Sequence, residues 1–275
     1  MATRLFTSFY EETRDSRRQE YLTCLGRNLS CGAIDSVHVL VEGGEKYLPH
    51  HTGLVTRPIA HRPLYADFFA WANELAAPDD ITVIANSDIY FDGSLAAVPL
   101  LLSPDACYAL SRWDVGEDGS SSLFDRNDSQ DAWIFRGRIR GNLVADFPLG
   151  VPRCDNRLLH ELRAAGYEVT NPAFSIRSHH LHRHRKGAVD YPDAPGEVPR
   201  PYAYAFPANV SSLPRILLHN SLHPDHRLGW RFDRRRASQG LFARVLRRIR
   251  NLLQRKRDAK SPGHHESVEP GQETR

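Results

Sequence analysis

Oxygen-rich and imidazole side chains gather at three places in this chain, each able to hold or move a charge. The first is Asn86-Ser87-Asp88, directly after the apolar run Ile81-Thr82-Val83-Ile84-Ala85 and followed by Ile89-Tyr90-Phe91-Asp92. A divalent ion that bridges two phosphates needs only one or two protein carboxylates, because phosphate oxygens and water complete its shell. The same residue types also end strands as plain turns by bonding their own backbone. The second place is Asp155-Asn156, which follows Gly150-Val151-Pro152 and opens a segment of helical periodicity. A carboxylate there can take a proton from a hydroxyl or simply cap a helix. The third is Ser178-His179-His180-Leu181-His182-Arg183-His184. On an extended backbone His180 and His182 share a face and could present an imidazole to a metal, although solvated histidine runs are common.

Three further residues fit a site of this kind. Asp131 and Trp133, in Ser129-Gln130-Asp131-Ala132-Trp133, offer an acid and a flat face for a sugar, with plain core packing the alternative for the Trp. Arg62 stands just before a helical pattern and could pair with a diphosphate or remain a solvated Arg.

The elements that must position these groups alternate. Leu5 to Phe9 is a short apolar run, and Arg14 to Leu29 places Tyr21, Leu22, Leu25 and Leu29 at helical steps. Val37 to Val41 is a β-branched run stopped by Gly43-Gly44, and Gly53 to Thr56 is a short strand candidate. Pro63 to Leu75 opens at a Pro and repeats Leu64, Phe68, Trp71 and Leu75, which predicts a helix. Ile81 to Ala85 is apolar throughout, as a strand covered on both faces must be. Strands are further expected at Ala106 to Arg112, Ala132 to Arg136, Glu168 to Thr170 and Phe174 to Ile176, with a polar loop at Gly116 to Ser122. Asp155 to Ala165 is predicted as a helix with Gly166 as its stop. No assignment is made over Gly187 to Leu213. The order strand, helix, strand, strand, helix, strand predicts an α/β fold, Rossmann-like, with a mostly parallel sheet flanked by helices.

The 275 residues, 41% of them hydrophobic, suit one such domain and a tail. The formal charge of +3 is unevenly placed: residues 234–260 carry eleven Lys/Arg against Asp258 alone, so the remainder is mildly acidic. Within that basic run Leu241, Phe242, Val245, Leu246, Ile249, Leu252 and Leu253 form an apolar helical stripe. The expected organisation is therefore a catalytic domain over 1–233, a basic amphipathic helix over 234–260 and a disordered end over 261–275. Cys24, Cys31, Cys107 and Cys154 have no CxxC spacing and read as free thiols. No signal-peptide or membrane-spanning run is present, so the expected setting is cytoplasmic.

Taken in order, these pieces resemble the GT-A glycosyltransferases, in particular their inverting family-2-like branch, over roughly residues 3–184. In that family an early strand ends in an acid that holds base and ribose, and Val37 to Val41 followed by Glu42 is similar. A later strand ends in a D-x-D-type motif that binds Mn²⁺ or Mg²⁺ and the diphosphate, and Asn86-Ser87-Asp88 looks like it. A carboxylate at a helix start, a Gly-aromatic pair and a late His complete the run, matching Asp155, Gly166-Tyr167 and His180 or His182. Two positions depart from the pattern: Asn86 replaces the first Asp, and Cys154 replaces the Glu of a Glu-Asp pair.

The resemblance implies a nucleotide-sugar donor such as a UDP- or GDP-sugar, bound through Glu42, Arg62, Asn86 and Asp88. It implies a saccharide or lipid-linked acceptor near Asp131, Trp133 and Asn156, and Asp155 as the base. The metal would be held by Asp88 with His180 or His182. The rival enzyme reading is a metal-dependent hydrolase built on His179 to His184. A sugar-nucleotide pyrophosphorylase is disfavoured because Phe6 to Glu12 contains no Gly for a phosphate loop. The tail suggests a non-catalytic rival, with a basic stripe beside an apolar one suiting an anionic membrane surface better than nucleic acid. It equally suits packing back on the domain or pairing with a second chain.

Overall fold

The computed structural model describes residues 1–181, 196–235 and 248–249. His182 and the end of the chain past 249 lie outside them, and of the stripe over 241–253 only residues 248–249 are described. The elements run β1 (Thr3–Tyr10), α1 (Asp15–Leu29), β2 (Ser36–Glu42), β3 (Leu54–Ile59), α2 (Tyr65–Leu75), β4 (Ile81–Ala85) and β5 (Ile89–Phe91). After a 3₁₀ turn (Gly93–Ala97) come α3 (Val98–Leu101), β6 (Ala106–Leu110), β7 (Arg112–Val115), β8 (Ser121–Leu123) and β9 (Ala132–Arg136). The last are α4 (Cys154–Ala164), β10 (Glu168–Thr170), β11 (Ser178–His180) and α5 (Leu213–Leu222). The chain divides into two compact units, Met1–Arg231 and Phe232–Arg275.

Seven strands form the main sheet in the order β10-β6-β9-β4-β1-β2-β3. All neighbours are parallel except β9, which runs against both β4 and β6. The fold is thus the expected mixed α/β class with a mostly parallel sheet. Strand alternation builds two cores. Phe6, Leu40, Ile84 and Trp133 point to the face covered by α2 and α4, together with Phe68, Trp71 and Leu158. Leu5, Val39, Val83 and Ile134 point to the other, against Tyr21 and Leu25 of α1. Every residue of β4 is buried, which explains why its sequence shows no polar alternation.

Three expectations need correction. Phe174 to Ile176 is a turn, and the strand lies just after it at β11. Ala106 to Arg112 is broken at Ser111 into β6 and β7, because Ser111 gives its backbone N–H to the Asn171 side chain instead of to a ladder. Gly116 to Ser122 is the turn and start of a β7–β8 hairpin. These corrections matter because β5-β11-β7-β8 form a separate small sheet. It stands where the main strands end, and it carries His180, Arg112 and Asp114.

Candidate active site at the carboxyl ends of the strands

In open α/β sheets, ligands bind where the parallel strands release their chains into loops. Here β1 ends at Tyr10, β2 at Glu42 and β4 at Ala85, with Tyr10 opposite Glu42 in register. The antiparallel β9 begins at this same edge, opposite Ala85. Its preceding residue, Asp131, therefore meets Asn86: the Asn86 side-chain N–H donates to Asp131 Oδ1 at 3.0 Å, and its backbone N–H to the Asp131 carbonyl at 3.2 Å. Arg112 Nη1 lies 3.3 Å from Asp131 Oδ2. One residue earlier, the Gln130 backbone N–H donates to Asp155 Oδ2 at 3.1 Å. Three segments far apart in the chain, around Asn86, Asp131 and Asp155, are joined here by direct hydrogen bonds.

Asp155 stands in the first turn of α4, where Gly150 and Arg153 take the left-handed backbone that lets the loop turn into the helix. Its Oδ1 accepts the Asn156 N–H at 2.9 Å. Two N–H donors and a helix start would ordinarily hold a carboxylate low. Burial and the neighbouring Asp131 charge outweigh them and push Asp155 up to about 6. A carboxylate raised to this range can accept a proton near neutral pH and is only weakly held in its charged form.

Asp88 sits in a different environment. The register of the small sheet puts His180 beside Ile89 on one side and Asp114 on the other. His180 Nε2 lies 3.2 Å from Asp88 Oδ2, and its Nδ1 lies 2.8 Å from Asp114 Oδ1. From α1, Arg17 Nη2 donates to the same Asp88 oxygen at 2.5 Å, while its Nη1 donates to Glu20 at 2.6 Å and its Nε to the Tyr21 hydroxyl at 3.0 Å. Burial opposes the Asp88 charge, yet His180 and Arg17 together hold the carboxyl well below the usual carboxylate range. Burial likewise opposes a charged His180, but Asp88 and Asp114 raise it to about 9.

Of the expected metal ligands, His182 lies outside the described residues. A metal-bound histidine must be neutral with a free lone pair, and both ring nitrogens of His180 are within hydrogen-bond reach of carboxylates. Asp88 Oδ1 is buried with no hydrogen-bond partner and is the one oxygen of this carboxylate open to an ion, whose other ligands would have to come from phosphate oxygens and water. Among the described residues no group of three or more His, Cys, Asp or Glu is placed to hold a metal. Of the His179 to His184 cluster behind the hydrolase reading, residues 182–184 lie outside the described residues; His179 Nε2 is 3.0 Å from Asp92 Oδ2, and His180 is engaged as above. Titrating Mn²⁺ into the protein without a nucleotide is accordingly expected to give no saturable calorimetric signal. A saturating signal that Asp88→Asn abolishes would mean that Arg17 and His180 yield to the ion.

Two more site expectations change. Trp133 is completely buried, edge-on to Tyr65 at 5.0 Å between ring centres, and offers no face to a sugar. Asn156 is also completely buried; its backbone carbonyl accepts the Ala203 N–H at 2.9 Å, and its side chain meets Arg153. It ties α4 to the 203 segment rather than facing a substrate. Glu42 is half-buried at the end of β2. Arg62 approaches the carbonyls of Leu149 and Gly150, which begin the loop into α4, at 3.4 and 3.5 Å.

Arg17, Arg112, Asp114 and Gln130 were not among the sequence-derived candidates. Arg17 had a signal: Arg17, Glu20, Tyr21, Cys24, Leu25 and Asn28 are all buried and fall on one helical stripe. A cleft of about 480 Å³ lies elsewhere, lined by Arg27, Cys31, Tyr90, Asp92 and His226. It touches the sequence motifs only at Tyr90 and Asp92, and the interacting carboxylates lie at the strand ends, so the site is placed there.

No family model matches the chain, and no curated relative does either. Among solved structures the chain is similar to 4-diphosphocytidyl-2C-methyl-D-erythritol synthase from Anaerococcus prevotii, with a TM-score of 0.34 and 7% identity over 49% of this chain and 70% of that one. It is also similar to HddC from Yersinia pseudotuberculosis, with a TM-score of 0.30 and 10% identity over 50% of this chain and 77% of that one. At these scores neither likeness bears on what the chain does.

Proposed function

We propose that the protein is a nucleotide-sugar-dependent glycosyltransferase that uses Asp155 as its general base. The observation that carries this reading is the junction of Asn86, Asp131 and Asp155 at the carboxyl edge of the sheet, with Asp155 raised to about 6. In the proposed step the acceptor hydroxyl oxygen bonds to the anomeric carbon of the donor. The bond from that carbon to the diphosphate breaks, its electron pair leaves with the nucleoside diphosphate, and the hydroxyl proton goes to Asp155. Glu42, opposite Tyr10 at the strand ends, is the residue proposed for the donor's ribose. Arg62, beside the loop that leads into α4, is the cation proposed for the diphosphate. The proposal places Asp131 next to the acceptor or donor sugar. Asp88 Oδ1 would be the protein ligand of a divalent ion on the donor's diphosphate, which would stabilise the departing charge.

The test is a panel of UDP-, GDP- and other nucleotide sugars, scored by thermal shift and then by release of nucleoside diphosphate in the presence of candidate saccharide and lipid-linked acceptors. One donor is expected to raise Tm, and Glu42→Ala is expected to reduce that shift. Absence of a shift with every donor would sink the reading.

A further inference from the structure

Helix α5 has an outward face that nothing in its own unit covers. At about 3.6 residues per turn, Leu213, Leu217, Leu218 and Leu222 share one half of the helix surface, with Pro214 and Ser221 between them. They are 38%, 57%, 62% and 66% exposed, respectively. The opposite half anchors the helix. Ile216 is buried in the core on the α1 side of the sheet, and Asn220 exchanges two hydrogen bonds with the backbone of Leu228, at 2.8 and 2.9 Å. The exposure is therefore not fraying; the helix is held by one side and shows its leucines on the other. Scattered single apolar residues on a surface are ordinary, but four leucines in ten residues form a contiguous patch that signals an interaction.

The charge of the segment selects the partner. Within the same unit, residues 213–231 carry Arg215, Arg227 and Arg231 against Asp225 alone. Trp230, on the segment that follows the α5–Leu228 clasp, is 40% exposed. An apolar helix face in a segment that also carries three arginines and an exposed Trp has the composition of an element that lies in a membrane interface, where acyl chains take the leucines and anionic headgroups attract the cations. A second protein copy would have to accept the same concentration of positive charge against itself. We infer that the outward face of α5 docks on an anionic lipid bilayer, with Leu217 and Leu218 as its central contacts. This inference stands apart from the transferase reading, since it needs no activity. Among the described residues no helix is long and apolar enough to cross a membrane, so the attachment inferred is to the surface.

The test is co-sedimentation of the full chain with vesicles of phosphatidylcholine mixed with phosphatidylglycerol, and with vesicles of phosphatidylcholine alone. The parent is expected to bind the mixed vesicles and not the neutral ones. The double variant Leu217→Glu/Leu218→Glu is expected to lose about tenfold or more in bound fraction at matched lipid, as two exposed leucines are replaced by charges. Because both side chains are already solvent-facing, the variant should keep its Tm, and this is checked in parallel. Light scattering on the same samples gives the oligomeric state. The inference is overturned if the parent binds neither vesicle. It is equally overturned if the double variant binds mixed vesicles as well as the parent, which would assign attachment to the basic run alone. A parent dimer that the double variant dissociates, with no lipid binding, would make the face a self-interface instead.

Discussion

Asp155→Asn is expected to bind the nucleotide sugar as the parent does and to transfer its sugar about 10²–10⁴-fold more slowly, the usual contribution of a positioned general base. The parent rate should rise with pH as the carboxylate loses its proton, levelling off above about 6. The residual rate of the variant should lack that limb. A stability measurement separates this role from a structural one. Folding raises Asp155 from its ordinary carboxylate value, so it favours the neutral acid. The penalty is absent at pH values below the unfolded pKa and is fully present above about 6, reaching roughly 3 kcal/mol for a shift of two units. Removing the charge relieves this penalty, while the Asn amide can accept only one of the two N–H bonds that the carboxylate takes, so the stability of Asp155→Asn relative to the parent should rise between about pH 4 and neutral pH. A variant that is slower and shows no such rise would point to a cap, not a base.

Asp88→Ala is expected to have the opposite character. It removes the shared partner of Arg17 and His180 and leaves two cations in a buried site, with Glu20 and Tyr21 still beside Arg17 and Asp114 beside His180. Breaking one side of a buried ion pair in this way costs about 3–5 kcal/mol, which urea denaturation would read as a clear fall in midpoint. The pH profile carries the signature. Asp88 is held low, so its contribution is present above the ordinary carboxylate range and fades as pH falls below it. His180 is raised to about 9, so its contribution is complete below about 6.5 and is lost as pH rises through about 9. The parent should lose stability on that alkaline limb, and Asp88→Ala should flatten it. An unchanged limb would mean that His180 does not carry its proton in the folded protein.

Much of the fold was legible along the chain because its signals are local. The buried strand Ile81 to Ala85 reads as an unbroken apolar run since both of its faces are covered. The helix over Tyr65–Leu75 shows its period because one stripe meets the sheet. Gly166, at φ 87°, ends α4 as its position predicted. The small second sheet was not legible. β5 and β11 are three residues each, too short to show a period of two, and their pairing joins residues about 90 positions apart.

The candidate site divides along the same line. From sequence alone come the α/β class, the placement of Asn86, Asp88 and Asp155 at element ends, and the basic character of residues 234–260. Those depend on which residue follows which, and near neighbours in the chain supply the whole signal. Only the tertiary structure decides what each group does. Asp88 and Asp155 are the same residue type, yet one is held anionic by Arg17 and His180 while the other is pushed toward neutrality by burial and Asp131. Trp133 is likewise sealed against Tyr65 instead of facing a sugar. A carboxylate's protonation and a ring's accessibility depend on charges and packing contributed from distant parts of the chain, and those distances exist only once the strands have paired.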